Sequence, residues 1–188
     1  EISSEEGPGR ILDLGSYGLT PSDIASDGDL LYISDRDRGL IIIYHPERKI
    51  FTERMETGIN PALIAVCGMD RRTVITAWDP DRGLMINQGG RAGFVPASGL
   101  EAAVNDGMKV PFRLSALSDR GVIICRNNFF DRKLFLFLPT GGYAGSIKIP
   151  EEVPSPYYFA RYSGPFLKLG IPGGVATCRM RIDAEYQY

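Results

Sequence analysis

Leu30-Leu31-Tyr32-Ile33-Ser34-Asp35-Arg36-Asp37-Arg38-Gly39-Leu40-Ile41-Ile42-Ile43-Tyr44 decides the fold of this chain. Two apolar runs rich in β-branched residues flank a polar turn that ends in glycine, which is the pattern of a hairpin whose strands are covered on both faces. Working outward, Asp, Gly, Pro and Asn punctuate the neighbouring sequence. The first unit thus predicts four strands, at Ser22 to Ser26, Asp29 to Ser34, Leu40 to His45 and Lys49 to Arg54.

The turn and the apolar run after it recur. Asp79-Pro80-Asp81-Arg82-Gly83 precedes Leu84-Met85-Ile86, Asp131-Arg132-Lys133 precedes Leu134-Phe135-Leu136-Phe137-Leu138, and Pro172-Gly173-Gly174 precedes Val175-Ala176. A second landmark leads each unit: Pro21-Ser22-Asp23-Ile24-Ala25, Pro61-Ala62-Leu63-Ile64-Ala65, Pro111-Phe112-Arg113-Leu114-Ser115 and Pro156-Tyr157-Tyr158-Phe159-Ala160. The prolines stand 40, 50 and 45 residues apart, a period typical of propellers and other repeat arrays. The segment Gly99 to Met108 (GLEAAVNDGM) is the one candidate for a helical turn and accounts for the longest interval. A lone four-stranded unit would leave apolar faces in water, and radial packing of several units removes that cost. The expected fold class is therefore all-β, a β-propeller of four four-stranded antiparallel blades.

Residues 30–44, with Pro21-Ser22-Asp23-Ile24-Ala25-Ser26-Asp27-Gly28-Asp29 before them, resemble the NHL-repeat signature: an apolar strand, Asp at its end, a polar turn and a second apolar strand. The resemblance is close in the first unit, partial in the second and third, and weak in the fourth. It implies a propeller whose first strand in each unit lines a central channel. Such propellers usually have six blades, and this chain has material for four. Gly9-Arg10-Ile11-Leu12-Asp13-Leu14-Gly15 reads as an outer fourth strand, whereas the last unit stops after its third strand, near Val175 to Tyr186. The N-terminal strand is thus expected to complete the last blade and close the ring, with a partial propeller or a fragment of a larger one as the alternative. Residues 1–9 read as a tether and residues 10–188 as the propeller domain.

Lys and Arg number 21 against 23 Asp and Glu, and the two signs are interspersed, so no basic stripe exists to neutralise phosphates and nucleic acid is not an expected partner. The hydrophobic share of 44% contains no run of the 18 or more residues that a membrane-spanning helix needs, so the chain is not expected to be integral to a membrane. The polar opening Glu1 to Gly9, without an initiator Met, points towards a processed protein outside the cytoplasm. Cys67, Cys125 and Cys178 lie far apart, with no CxxC and no nearby His, and read as small apolar fillers of strands, with one disulfide and one free thiol as the alternative.

Alternation places the third position of each first strand (Asp23, Leu63, Arg113, Tyr158) towards the channel and the fourth (Ile24, Ile64, Leu114, Phe159) into the packing between blades. Asp23, Arg113 and Tyr158 either grip a ligand or, for the first two, pair and plug the axis. The paired carboxylates Asp35/Asp37 and Asp79/Asp81 look like the start of a calcium loop but lack its Gly and distal Glu, and hairpin geometry explains them equally well. A single histidine, His45, excludes a His-based triad or a multi-histidine zinc centre. Aromatics at turns are the stronger lead: Phe129 and Phe130, Trp78, and the cluster Tyr157, Tyr158, Phe159, Tyr162 and Phe166 are candidate interface anchors, unless they fold back over a blade edge. The expected function is a non-enzymatic binding propeller for a protein partner, as a subunit of a larger assembly. The alternative is a calcium-dependent lactonase or esterase-like hydrolase, with Asn60, Asn105, Asn127, Asn128 and Asp23 as nominal axial ligands; no other cofactor is expected and no small-molecule ligand is identifiable.

Overall fold

A computed structural model describes residues 12–69, 72–96, 113–116, 123–126, 132–138, 142–157, 160–163 and 166–179. Strands β1 (Pro21–Ser26), β2 (Leu31–Asp35), β3 (Leu40–His45) and β4 (Ile50–Glu56) form sheet 1, within two residues of the boundaries read from sequence. Sheet 2 holds β5 (Leu63–Met69), β6 (Arg72–Asp79), β7 (Gly83–Gln88) and β8 (Arg91–Pro96). Sheet 3 holds β9 (Arg113–Ala116), β10 (Ile123–Arg126), β11 (Lys133–Phe137) and β12 (Tyr143–Lys148), and sheet 4 holds β13 (Ala160–Ser163), β14 (Phe166–Ile171) and β15 (Gly174–Arg179). Every ladder is antiparallel between sequence neighbours, so each sheet is a simple meander. The helical candidate at 99–108 lies outside the described residues.

The sheets stack in chain order. First strands of successive sheets stand side by side, β1 with β5, β5 with β9 and β9 with β13. The apolar cores fill the gaps between sheets, and each sheet therefore has a leading face towards its successor and a trailing face towards its predecessor. The leading face of sheet 1 (Tyr32, Ile41, Ile43) packs on the trailing face of sheet 2 (Ile64, Ile75, Ala77, Met85). Trp78, Leu84 and Ile86 of sheet 2 meet Phe135 and Phe137 of sheet 3. Leu134, Leu136 and Ile147 of sheet 3 meet Leu167 and Leu169 of sheet 4, with Ile149, Val153 and Tyr157 closing the cluster. Burial on both faces is what makes β3 and β11 continuously apolar. Among the described residues, no hydrophobic cluster joins sheet 4 to sheet 1.

Three expectations change. The segment 9–15 was expected to be a strand, but from residue 12 on it joins no ladder, and Gly15–Tyr17 forms a single 3-10 turn. The Asp13 carboxylate accepts the Ser16 N–H and the Ser16 hydroxyl donates to the Asp13 carbonyl, so local side-chain bonds outcompete strand pairing there. Ile24 was expected in the packing between blades and is instead 56% exposed on the trailing face of sheet 1. The two DxDRG turns also differ in register: Asp35 pairs with Leu40 but Asp79 pairs with Gly83, so the second loop is one residue shorter. A one-residue shift reverses strand faces, and Leu84 consequently joins the leading core, where its sequence counterpart Leu40 does not.

Candidate functional site

The first strands meet through polar groups. Ser22 Oγ lies 2.7 Å from the Pro61 carbonyl and 2.8 Å from Ser34 Oγ, which also accepts the Asp23 N–H at 2.9 Å. The Asp23 carboxylate accepts the Ile64 N–H at 2.9 Å. Asp23 thus ties β1 to β5 by a strong charge-assisted bond between adjacent sheets.

The DxDRG aspartates do matching work in two units. Asp35 and Asp79 are both 1% exposed. Asp35 accepts the Arg38 N–H at 3.2 Å within its own turn and the Thr20 N–H at 3.4 Å from the linker before β1. Asp79 accepts Asp81 N–H at 2.9 Å and Arg82 N–H at 3.3 Å, and Asn60 N–H at 2.8 Å from the linker before β5. Their arginines follow: Arg82 donates to the Gly58 carbonyl, and Arg38 lies 3.7 Å from the Asp35 carboxylate. Each linker carries Gly-x-x-Pro, at Gly18 to Pro21 and Gly58 to Pro61, with the glycine at φ 65° and 69°. These carboxylates are occupied by N–H donors, and among the described residues no group of three His, Cys, Asp or Glu side chains is placed to hold a metal ion.

At the β1–β2 hairpin, burial pushes the Asp27 carboxyl up, but bonds from Leu30 N–H, Tyr32 O–H and Asp29 N–H outweigh it and hold it below its ordinary 3.8. Burial, aided by that bond to Asp27, pushes Tyr32 up to about 12. A carboxyl depressed in the folded state stabilises above its free value, and that contribution is lost as pH falls through the folded value. Asp27→Asn is expected to flatten this acid dependence, so thermal midpoints compared at about pH 6 and about pH 3 should drop less in the variant than in wild type.

The residues 12–20 cross the trailing face of sheet 1 and leave a cleft of about 380 Å³ lined by Tyr17, Leu19, Ile42, Phe51, Thr52, Glu53 and Arg54. Its aromatic wall is built in steps: Tyr17 meets Phe51 edge-on at 4.7 Å, and Phe51 meets Tyr44 at 5.1 Å. Ile42 supplies an apolar floor, while Glu53 and Arg54 supply charge. Such a cleft takes an apolar side chain while the backbone around it stays polar. Nothing in sequence singled it out, because Tyr17 is 34 positions from Phe51 and only the 3-10 turn brings them together.

The sequence-derived candidates fall on several elements, and three of them are not among the described residues. Asp23 sits on β1, and Arg113 opens β9. Tyr158, Phe129 and Phe130 lie outside the described residues. Trp78 is not an exposed turn aromatic: β6 runs on to Asp79, which turns the indole into the core between sheets 2 and 3 at 3% exposure, with Nε1 lacking a hydrogen-bond partner. Tyr157 is likewise fully buried, its hydroxyl donating to the Val153 carbonyl at 3.3 Å, whereas Phe166 is 41% exposed. His45 ends β3, as its place before Pro46 suggested. Cys178 is a free, half-buried thiol packed beside the core between sheets 3 and 4.

No protein-family model matches the chain, and no curated protein matches it. Among solved structures it is similar to BBS1N in complex with ARL6DN, with a TM-score of 0.53 and 19% identity over 85% of this chain and 51% of that one. It is similar to the WD40 repeats of RRP9, with a TM-score of 0.53 and 9% identity over 86% of this chain and 48% of that one. A third is the glutaminyl cyclase of Myxococcus xanthus, at a TM-score of 0.50 and 10% identity over 85% of this chain and 65% of that one. The chain thus spans about half to two-thirds of these structures. The likeness is one of fold, and the chain has a propeller-type, all-β architecture.

Proposed function

We propose that this chain is a non-enzymatic, protein-binding scaffold that forms part of a larger assembly, and that its binding surface is the trailing face of sheet 1. The observation that carries this reading is the cleft between Tyr17 and Phe51, where aromatic and aliphatic groups lie open beside Glu53 and Arg54. Exposed aromatics in a concave, charge-edged site are the usual anchors of protein interfaces. The fold alone does not choose a function, since one similar structure is an enzyme and another is a complex with a protein. Within propellers, the first unit supports an NHL-like repeat through residues 21–44. The four sheets are read as blades of a propeller-type ring, with Ile24 of sheet 1 and Phe166 and Val175 of sheet 4 left exposed.

Tyr17→Ser and Phe51→Ser are each expected to reduce capture of the partner from the native source about tenfold, with folding unchanged by circular dichroism. Phe129→Ser and Phe130→Ser serve as the comparison pair. Undiminished capture by the cleft variants, with loss in the Phe129 and Phe130 variants, would move the interface to that turn.

A further inference from the structure

Resting on the reading that the cleft between Tyr17 and Phe51 is the binding surface, we propose that its occupant is an extended peptide segment of a partner protein. The segment pairs with the outer edge of β4, seats a large apolar side chain in the cleft and sets a carboxylate against Arg54.

The trailing face of sheet 1 is not open throughout. Ile33, Leu40 and Ile42 are buried and residues 12–20 cross the face, so the cleft lies at its outer margin, where Tyr17 is 56% exposed. A bulge shapes that margin. Ile42 pairs with Arg54, Ile43 with Glu53 and Tyr44 with Phe51, so Thr52 is an extra residue in β4 and the register shifts there. In an unbroken strand, positions three apart point to opposite faces. The extra residue instead turns Phe51 and Arg54 to the same side, together with Ile42 and Tyr44, and the Thr52 hydroxyl donates to the Ile43 carbonyl at 3.3 Å. Strand β8 is the contrast: Arg91 and Phe94 have the same spacing, but their ladder has no register shift, so they face opposite sides. Bulges that re-aim side chains in this way are common next to functional sites.

Charge selects the side chains of the occupant. Arg54 stands across the ladder from Ile42, the floor of the cleft, whereas Glu53 stands across from Ile43 on the leading side. Glu56, across from Leu40, shares the side of Arg54 but does not line the cleft. Arg54 is exposed, and among the described residues no carboxylate lies within ion-pair distance of it. A cation beside an apolar cavity complements an apolar side chain with a carboxylate next to it. The open edge selects the backbone of the occupant. β4 pairs with β3 alone, and among the described residues no backbone bond from outside the sheet falls on Ile50–Glu56. The N–H and C=O groups along its outer edge are spaced for an added strand, and alternate side chains of that strand then face the cleft.

A random peptide library displayed on phage and selected on the immobilised 188-residue protein tests this. The expected consensus is a large apolar residue next to Asp or Glu, in a stretch free of proline. Fluorescence anisotropy of the enriched peptide is then expected to show binding about tenfold weaker to Arg54→Gln and about 100-fold weaker to Arg54→Glu. Circular dichroism should be unchanged, because Arg54 is exposed. Replacing the acid of the peptide with Lys should restore binding to Arg54→Glu, an exchange that a merely structural arginine does not allow. N-methylation of the peptide backbone should abolish binding at one set of alternate positions and spare the other, since an edge strand bonds one set only. A consensus without an acid, or binding indifferent to Arg54→Glu, overturns the proposal. So does free phenylacetate that binds as tightly as the peptide, because the site would then be one for a small carboxylate. If no peptide is selected while Tyr17→Ser and Phe51→Ser still lose the native partner, the extended acidic segment is overturned and the protein-binding surface stands. If capture is undiminished as well, both fall.

Discussion

Asp79→Ala is expected to cost about 3 kcal/mol of folding stability and to be among the most damaging single changes outside the apolar core. The carboxylate is 1% exposed and accepts three backbone N–H groups, from Asn60, Asp81 and Arg82. Removing it strands donors that have no other described acceptor at that site. Each buried N–H left unpaired costs ~1–3 kcal/mol, and water reaching the turn at Asp81 lowers the sum. Asp79→Asn separates geometry from charge: its carbonyl oxygen still serves the turn, but its NH₂ faces the Asn60 N–H, so about half of the loss is expected. Urea titration reads both values as shifts in midpoint at constant slope. A loss under about 1 kcal/mol for the alanine variant would mean that the linker holds without this tie.

The second large effect is a contrast between equivalent positions. Ile64→Ala is expected to cost about 3 kcal/mol, since it opens a cavity against Tyr32, Ile41 and Ile43, whereas Ile24→Ala should cost under ~1 kcal/mol in the monomer. The two residues share side chain, distance from the proline that leads the unit and repeat context, and differ in burial, 56% exposed against 4%. Denaturation at low protein concentration measures the chain by itself. Equal losses would show that the trailing face of sheet 1 is already covered. A third, smaller effect is the acid response of Asp27 described above.

The first unit was legible because its strands are set by β-branched runs and its turn by Asp and Gly, so all four strands fall within two residues of expectation. Period and proline spacing likewise identified the repeated meander. What alternation cannot say is which neighbour covers a face, and Ile24 was misplaced for that reason. Trp78 was misplaced because the strand continues one residue beyond it, which no propensity distinguishes from a turn. The tie made by Asp35 and Asp79 was missed even though a signal existed: Gly-x-x-Pro before the first strand recurs 40 residues apart together with a buried Asp at the end of the second strand. The cleft had no local signature, since its walls come from a 3-10 turn and an outer strand.

Those aspartate ties also bear on how the chain is made. Asp35 reaches back 15 residues to Thr20, and Asp79 reaches back 19 to Asn60, so each latch closes inside its own unit. Loops of that length close at modest entropic cost, and low contact order favours rapid folding. During synthesis, a unit can therefore fasten its incoming linker as soon as its second strand has left the ribosome, before the next sheet exists. The first two units are thus expected to form in the order of their synthesis, with Tyr32, Ile41 and Ile43 of sheet 1 as the template face for sheet 2.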